Sequence, residues 1–193
     1  RAPEVRLALA AAAPDWHNPG KGRARRGPVH PKRVWGVSTG WGLREVESGG
    51  LTLHHRSVEA WTEAGVKMAR LYLPLTKVDQ GGRGSPRTWA CVCHWPRLLD
   101  GDVHLGEAGL CPACLVHKQV ETRIAETGVL PTDAKAAEVP FFPDAMGRAP
   151  TKEGTVAAWD ELFTWTCQEL LAGGGTTPAQ EEAASAYDGV TGH

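Results

Sequence analysis

Residues 42–52 read Gly-Leu-Arg-Glu-Val-Glu-Ser-Gly-Gly-Leu-Thr. The apolar residues Leu43, Val46 and Leu51 follow a rough helical spacing, which predicts a short helix that begins just after the first glycine. Arg44 then lies in the first turn of this helix. Because a guanidinium and a helix N-terminus both attract phosphate oxygens, the position suits an arginine that binds an anion. The alternative is a surface arginine on a short amphipathic helix.

The segment after this helix predicts a β-hairpin. Residues 57–61 and 66–74 contain alternating apolar residues, and the turn-like Glu-Ala-Gly at 63–65 separates them. The second strand continues into Pro-Leu-Thr-Lys-Val-Asp-Gln at 74–80 and a glycine-rich turn at 81–84. The lysine of this stretch can belong to a functional site, or it can be an exposed residue at a strand end that only keeps the hairpin soluble.

Charge is unevenly distributed along the chain. With 193 residues, 41% hydrophobic content and a net charge of −1, the whole chain resembles an ordinary globular protein rather than a basic DNA binder. The cations of the early segment are Lys21, Arg23, Arg25, Arg26, Lys32 and Arg33. We predict that the first four contact DNA phosphates; a nuclear address or a solvated linker are the alternatives.

The N-terminal residues 7–13 are small and apolar, and Pro14 follows them. This stretch is too short to span a membrane, so we predict a buried or frayed helix and a soluble protein. The expected location is the nucleus in a eukaryote and the cytoplasm otherwise.

Two close cysteine pairs predict a metal site. Thiolates at such spacing suit tetrahedral zinc in a structural role, although the first pair is tighter than usual. Reduced cysteines without metal and a disulfide are the alternatives, and His117 can replace Cys114 as a ligand. The pairs are Cys91 with Cys93 and Cys111 with Cys114; His94, His104 and His117 lie nearby, and Cys167 is the fifth cysteine.

Helical patterns dominate the second half of the chain. Residues 115–125 and 179–187 predict helices, and residues 131–143 predict a loop. The clearest helix begins at a Thr151 cap and ends at the glycines 173–175. Its apolar stripe is Val156, Trp159, Phe163, Cys167 and Leu170, with Leu162 beside it. Trp159 and Trp165 are interpreted as core residues, with base stacking as the alternative.

The order of these motifs resembles the catalytic domain of tyrosine recombinases. Gly-Leu-Arg-x-x-Glu precedes a hairpin with a lysine, and Gly-His ends the chain. The series is most similar to integrase-like genes of eukaryotic mobile elements, which carry Pro-x-x-Lys-x-Asp-Gln, Cys-x-Cys, Cys-Pro and Phe-Pro in this order. These motifs occur here at residues 74–80, 91–93, 111–112 and 142–143, and the resemblance covers residues 35–193.

The resemblance implies a mostly helical α+β fold, with a small antiparallel hairpin or three-stranded sheet after the arginine helix. We expect a basic, Pro/Gly-containing and partly disordered segment at residues 1–33. Residues 34–193 would form the recombinase-like domain, with a cysteine-rich insertion at residues 89–117. Because the chain ends within the family's His-x-x-Arg motif, we expect a truncated catalytic domain.

The resemblance also implies the chemistry. In this family a tyrosine attacks a DNA phosphodiester while two arginines and a histidine stabilise the transition state, and a lysine protonates the leaving oxygen. Arg44, Lys77 and His193 match the first arginine, the lysine and the histidine, and we expect them to share one basic cleft. Glu47 matches the glutamate that supports the arginine helix, and Arg87 is expected to contact the DNA backbone or support the hairpin. The implied partners are double-stranded DNA and other copies of the chain; the recombinase chemistry needs no cofactor.

Departures from the family pattern limit this prediction. The second arginine and the nucleophile would follow His193, whereas Tyr72 and Tyr187 both precede it. We therefore expect a recombination or integration domain that cannot cut DNA alone. The alternative function is a non-catalytic, zinc-stabilised module that binds DNA or protein.

Overall fold

The computed structural model describes residues 2–73, 85–93, 109–172 and 178–187. Over these ranges the fold is mixed α+β, with six α-helices and one three-stranded antiparallel sheet. The predicted α+β class is therefore confirmed. The helices are α1 (Ala2–Ala12), α2 (Pro31–Trp41), α3 (Glu45–Gly49), α4 (Pro112–Thr127), α5 (Lys152–Leu171) and α6 (Pro178–Ser185). The strands are β1 (Val58–Glu63), β2 (Val66–Leu73) and β3 (Ser85–Ala90).

The predicted hairpin is confirmed as β1 and β2, which pair from Val58 opposite Leu71 to Glu63 opposite Val66. Its two-residue turn places Ala64 at φ 48° and Gly65 at φ 81°. Two successive positive φ values give the backbone twist that tight antiparallel hairpins favour. β3 pairs with the other edge of β2, so β2 is the central strand.

One face of the sheet is buried. Along β2, Ala69, Leu71 and Leu73 are buried, whereas Arg70 and Tyr72 alternate with them on the opposite face. Helix α4 packs across β1 and β2. This packing fixes the register, because a slip of one residue would turn the apolar set towards solvent.

Helix α5 confirms the predicted cap and the middle of the predicted stripe, while the two ends of the stripe, Val156 and Leu170, are half-buried. The Thr151 hydroxyl oxygen accepts a hydrogen bond from the Gly154 amide at 3.1 Å. Trp159 is buried and donates its indole N–H to the Pro31 carbonyl at 3.1 Å, so it is a core residue. Trp165 is 38% exposed, which differs from the core prediction because it lies on the outer side of the helix.

The arginine helix differs from the prediction. Arg44 is the N-cap of α3 rather than a residue of its first turn, and the helix is only five residues long. Leu51 is buried, but Val46 is 58% exposed. The predicted apolar face is thus wrong at Val46, because a single turn presents too few residues to form a continuous stripe.

The described part of the N-terminal segment packs on the rest of the chain. Residues 7–12 belong to α1, as predicted, and the predicted boundary after residue 33 falls inside α2. A 3-10 turn, Gly22–Arg26, lies against α5. The contact is so close that a Cβ on Gly27 would lie 2.3 Å from the Gly154 carbonyl oxygen. No helix in the described ranges is both long and apolar enough to cross a membrane.

Candidate metal centre

Four cysteines converge where the sheet meets α4. Cys91 follows β3 directly, and its amide donates to the Lys67 carbonyl at 2.8 Å, which extends the strand ladder by one residue. Cys111 is the N-cap of α4, and Cys114 lies in the first turn of that helix. The chain after β3 therefore supplies one pair of thiols, and the start of α4 supplies the other pair.

The sulfur positions suit a tetrahedral ion. The four Sγ atoms lie within 4.8 Å of one another. The separations are 3.5 Å for Cys91 and Cys114, 3.6 Å for Cys93 and Cys114, and 3.9 Å for Cys91 and Cys111. Thiolates at about 2.3 Å from a tetrahedral ion would be about 3.8 Å apart. The four cysteines can therefore hold a metal ion, and all five cysteines of the chain are free rather than disulfide-bonded.

Backbone amides and burial set the protonation of the thiols. Burial raises the pKa of Cys93 to about 11 and that of Cys114 still further. Burial also raises the pKa of Cys91, but hydrogen bonds from Cys93 and the other thiols outweigh it and lower the pKa overall. The Cys93 amide donates to the Cys91 sulfur at 3.5 Å, and the Val92 amide donates to the Cys111 sulfur at 3.4 Å. A bound cation would favour the thiolate form of all four groups.

The alternative ligand is excluded by geometry. His117 Nε2 lies 2.9 Å from the Met68 carbonyl oxygen, so the imidazole contacts the sheet and not the sulfurs. Within the described ranges, the four cysteines are the one group of metal-binding side chains, and Cys167 lies apart in α5. His94 and His104 lie outside the described residues.

Arg44 closely follows the end of α2 along the chain, and Arg87 of β3 contacts the last residue of that helix. Arg44 is exposed, and the Glu47 carboxylate accepts a hydrogen bond from its backbone N–H at 2.7 Å, so Glu47 supports the backbone there. Arg87 donates its guanidinium to the Trp41 carbonyl at 2.7 Å, and the Trp41 indole donates to the Arg87 carbonyl at 3.0 Å. This reciprocal pair connects β3 to the chain just before Arg44. Lys77 and His193 lie outside the described residues, so the shared cleft stays a prediction.

The four predicted phosphate-binding cations differ in their surroundings. Arg26 donates to the buried Asp144 carboxylate at 2.8 Å and to the Ala149 carbonyl at 3.1 Å. Arg23 lies 3.6 Å from Asp160. Lys21 and Arg25 are exposed.

Sequence reasoning missed a charged cluster beside the sulfurs. Asp15 accepts hydrogen bonds from Arg33 at 2.9 Å and from Lys118 at 2.6 Å. Asp15, Lys118 and the buried Lys32 line a cavity of about 220 Å³, to which Cys93, Cys111 and Cys114 also contribute. No local pattern could have found this cluster, because Asp15 and Lys118 are 103 residues apart.

No protein-family model, curated protein or solved structure matches this chain. A function must therefore be argued from the sites themselves.

Proposed function

We propose that this chain is a DNA-binding domain of the tyrosine-recombinase type, stabilised by a zinc ion. The observation that carries the proposal is the position of Arg44, which is exposed at the start of α3, the last helix before the three-stranded sheet. Arg87 holds β3 against the end of α2. The motif series implies that Lys77, which lies outside the described residues, would join Arg44 in the site.

Arg44 would bind a DNA phosphate. No described acidic side chain forms an ion pair with its guanidinium. A solvent-facing guanidinium binds phosphate oxygens through charge-assisted hydrogen bonds, and two such bonds can form in parallel. In strand transfer, Arg44 would stabilise negative charge on the phosphate, Lys77 would protonate the leaving oxygen, and His193 would donate to a phosphate oxygen.

Neither described tyrosine suits the nucleophile. Tyr72 donates its hydroxyl to Glu59 at 2.9 Å, and Tyr187 donates to Asp160 at 2.9 Å. Burial and Asp160 raise the pKa of Tyr187, so its hydroxyl loses a proton less readily to form the nucleophilic phenolate. We therefore propose DNA binding as the function of this chain; strand transfer would require a further arginine and a tyrosine.

The zinc ion would be structural. Cys91, Cys93, Cys111 and Cys114 supply four thiolates, which complete a tetrahedron and leave no position for a reacting water. The ion would join the end of β3 to the start of α4.

A binding experiment tests the role of Arg44. The wild-type chain, Arg44→Ala and the exposed control Arg56→Ala are compared by fluorescence anisotropy with mixed-sequence double-stranded DNA over a series of salt concentrations. We expect Arg44→Ala to weaken binding about tenfold and to lower the slope against salt by about one. An absence of wild-type binding, or equal losses in the two variants, would overturn the proposal.

The second candidate is a non-catalytic, zinc-stabilised module that binds DNA or protein through another surface. The cysteine cluster favours it, because its four sulfurs lie within 4.8 Å of one another between the end of β3 and the start of α4. Binding that is lost on zinc chelation yet unaffected by Arg44→Ala and Lys77→Ala would support this candidate over the first.

A further inference from the structure

Lys32 is a buried cation whose described partner is a neutral group. Its side chain lies on the first turn of α2, and the residue is only 9% exposed. Among the described residues, its one hydrogen bond is donated to the Ala13 carbonyl. A buried ammonium is costly unless a negative charge lies close to it, and a single carbonyl is weak compensation.

The nearby carboxylate is already shared. Asp15 accepts from both Arg33 and Lys118. Its pKa is lowered to about 2, because hydrogen bonds and charge from these two cations outweigh the effect of burial, so it carries a full negative charge. The described cluster thus contains three cations, Lys32, Arg33 and Lys118, and one carboxylate, so its positive charges outnumber its negative charges by two.

The cysteine cluster can supply the missing negative charge. The complex of a divalent ion with four thiolates carries two net negative charges. Lys32 and Lys118 line the same cavity as Cys93, Cys111 and Cys114, so these two cations share one cavity with three of the four cysteines. The cavity is partly buried, and charges there are screened less than at the surface.

We propose that Lys32 is the counter-ion of a metal tetrathiolate at Cys91, Cys93, Cys111 and Cys114, with a smaller contribution from Lys118. The inference rests on the proposed zinc site and adds the residue that balances its charge. Lys32 is a positioning residue that acts on the ligands through its charge. Lys118 contributes less because it is more exposed and already paired with Asp15.

The proposal predicts opposite effects of one substitution in the two states of the protein. Lys32→Met keeps the length and most of the apolar stem but removes the charge. In the metal-free protein it removes an undercompensated buried ammonium, so the free energy of unfolding should stay the same or increase. In the zinc-bound protein it removes the counter-ion, so zinc affinity should fall. If Lys32 acted through packing alone, its replacement would not lower zinc affinity while leaving the metal-free protein equally stable or more stable.

The test compares Lys32→Met, Lys32→Arg and the exposed control Lys135→Met with the wild-type chain. Zinc dissociation constants are measured by competition with a chromophoric chelator, and cobalt spectra report the tetrahedral thiolate environment. We expect Lys32→Met to raise the zinc Kd about 10- to 100-fold, as is typical for partners of metal ligands. Lys32→Arg should keep most of the affinity, and Lys135→Met should equal the wild type.

The outcomes separate this inference from the zinc proposal. A wild-type chain that binds no zinc overturns both. Stoichiometric zinc binding with a Lys32→Met Kd within about twofold of the Lys135→Met value overturns the counter-ion role alone. If Lys32→Met does not fold, Lys32→Gln carries the test: a loss of zinc affinity that exceeds the Lys135→Met effect supports the proposal, and a Kd equal to that of Lys135→Met overturns it.

Discussion

His30 shows how strongly a single buried residue depends on its charged neighbours. Its Nδ1 atom is buried without a hydrogen bond and lies 3.8 Å from an Asp15 oxygen. Burial, followed by the charge of Arg33, lowers the pKa of His30 from 6.5 to about 4, although Asp15 acts in the opposite direction. His17 and Glu126 also face it, with opposing and smaller effects.

The lowered pKa of His30 predicts acid sensitivity. The unfolded chain takes up a proton near pH 6.5, whereas the folded chain takes it up only near pH 4. The contribution of His30 to the free energy of unfolding is therefore fully present above pH 6.5. It is lost as the pH decreases towards 4, which lowers the free energy of unfolding by up to about 3 kcal/mol. Chemical unfolding at several pH values measures this loss. His30→Gln should remove most of the slope in this window, and an unchanged slope would contradict the assignment.

At the scale of elements, the ends of helices position the sites. Gly42 ends α2 at φ 64°, a left-handed conformation that glycine adopts without strain, and this turn places Arg44 before α3. Cys111 and Pro112 begin α4, so the helix start and the second pair of thiols are formed by the same residues. Helix α5 begins at the Thr151 cap.

Removal of the Thr151 cap tests the contribution of α5. Thr151→Ala leaves the Gly154 amide without its side-chain acceptor, so we expect a loss of about 1 kcal/mol in the free energy of unfolding. Thr164→Ala, at an exposed position within the same helix, is the matched control and should be neutral or slightly stabilising. Equal losses in the two variants would rule out a capping role.

At the scale of the whole molecule, the cysteine cluster joins the sheet to α4. α4 in turn packs on α2, and Arg33 of α2 donates to Gln119 and Thr122 of α4 at 3.0 Å. The buried Gln119 donates to the Phe141 carbonyl at 2.7 Å, so α4 contacts the later core as well. A metal ion at the start of α4 would therefore stabilise more than the local turn.

Two buried cysteines provide a matched test of this global role. Cys111→Ser should abolish stoichiometric zinc binding, whereas Cys167→Ser should retain it, because only Cys111 belongs to the cluster. With free zinc at a thousand times the wild-type Kd, we expect bound zinc to add about 4 kcal/mol to stability. Thermal unfolding with and without chelator measures the difference. Equal metal content in the two variants would contradict the proposed ligand set.

Much of the local structure of this protein could be predicted from the amino-acid sequence alone. The hairpin with its turn at residues 63–65, the Thr151 cap and the buried Trp159 follow from side-chain alternation, capping chemistry and helical spacing. These patterns depend on residues that are close together along the chain, so they can be recognised in the sequence. The two cysteine pairs could be recognised for the same reason, since the members of each pair are close neighbours along the chain.

Contacts between groups that are distant along the chain could not be predicted, because they depend on how the elements pack. The tertiary structure brings the cysteine pairs within 4.8 Å of one another, turns His117 towards Met68, and leaves Val46 exposed. It also collects Asp15, Lys32 and Lys118 beside the sulfurs. Such contacts depend on how the sheet, α2 and α4 pack, because burial and charge pairing are set by neighbours in space rather than along the chain.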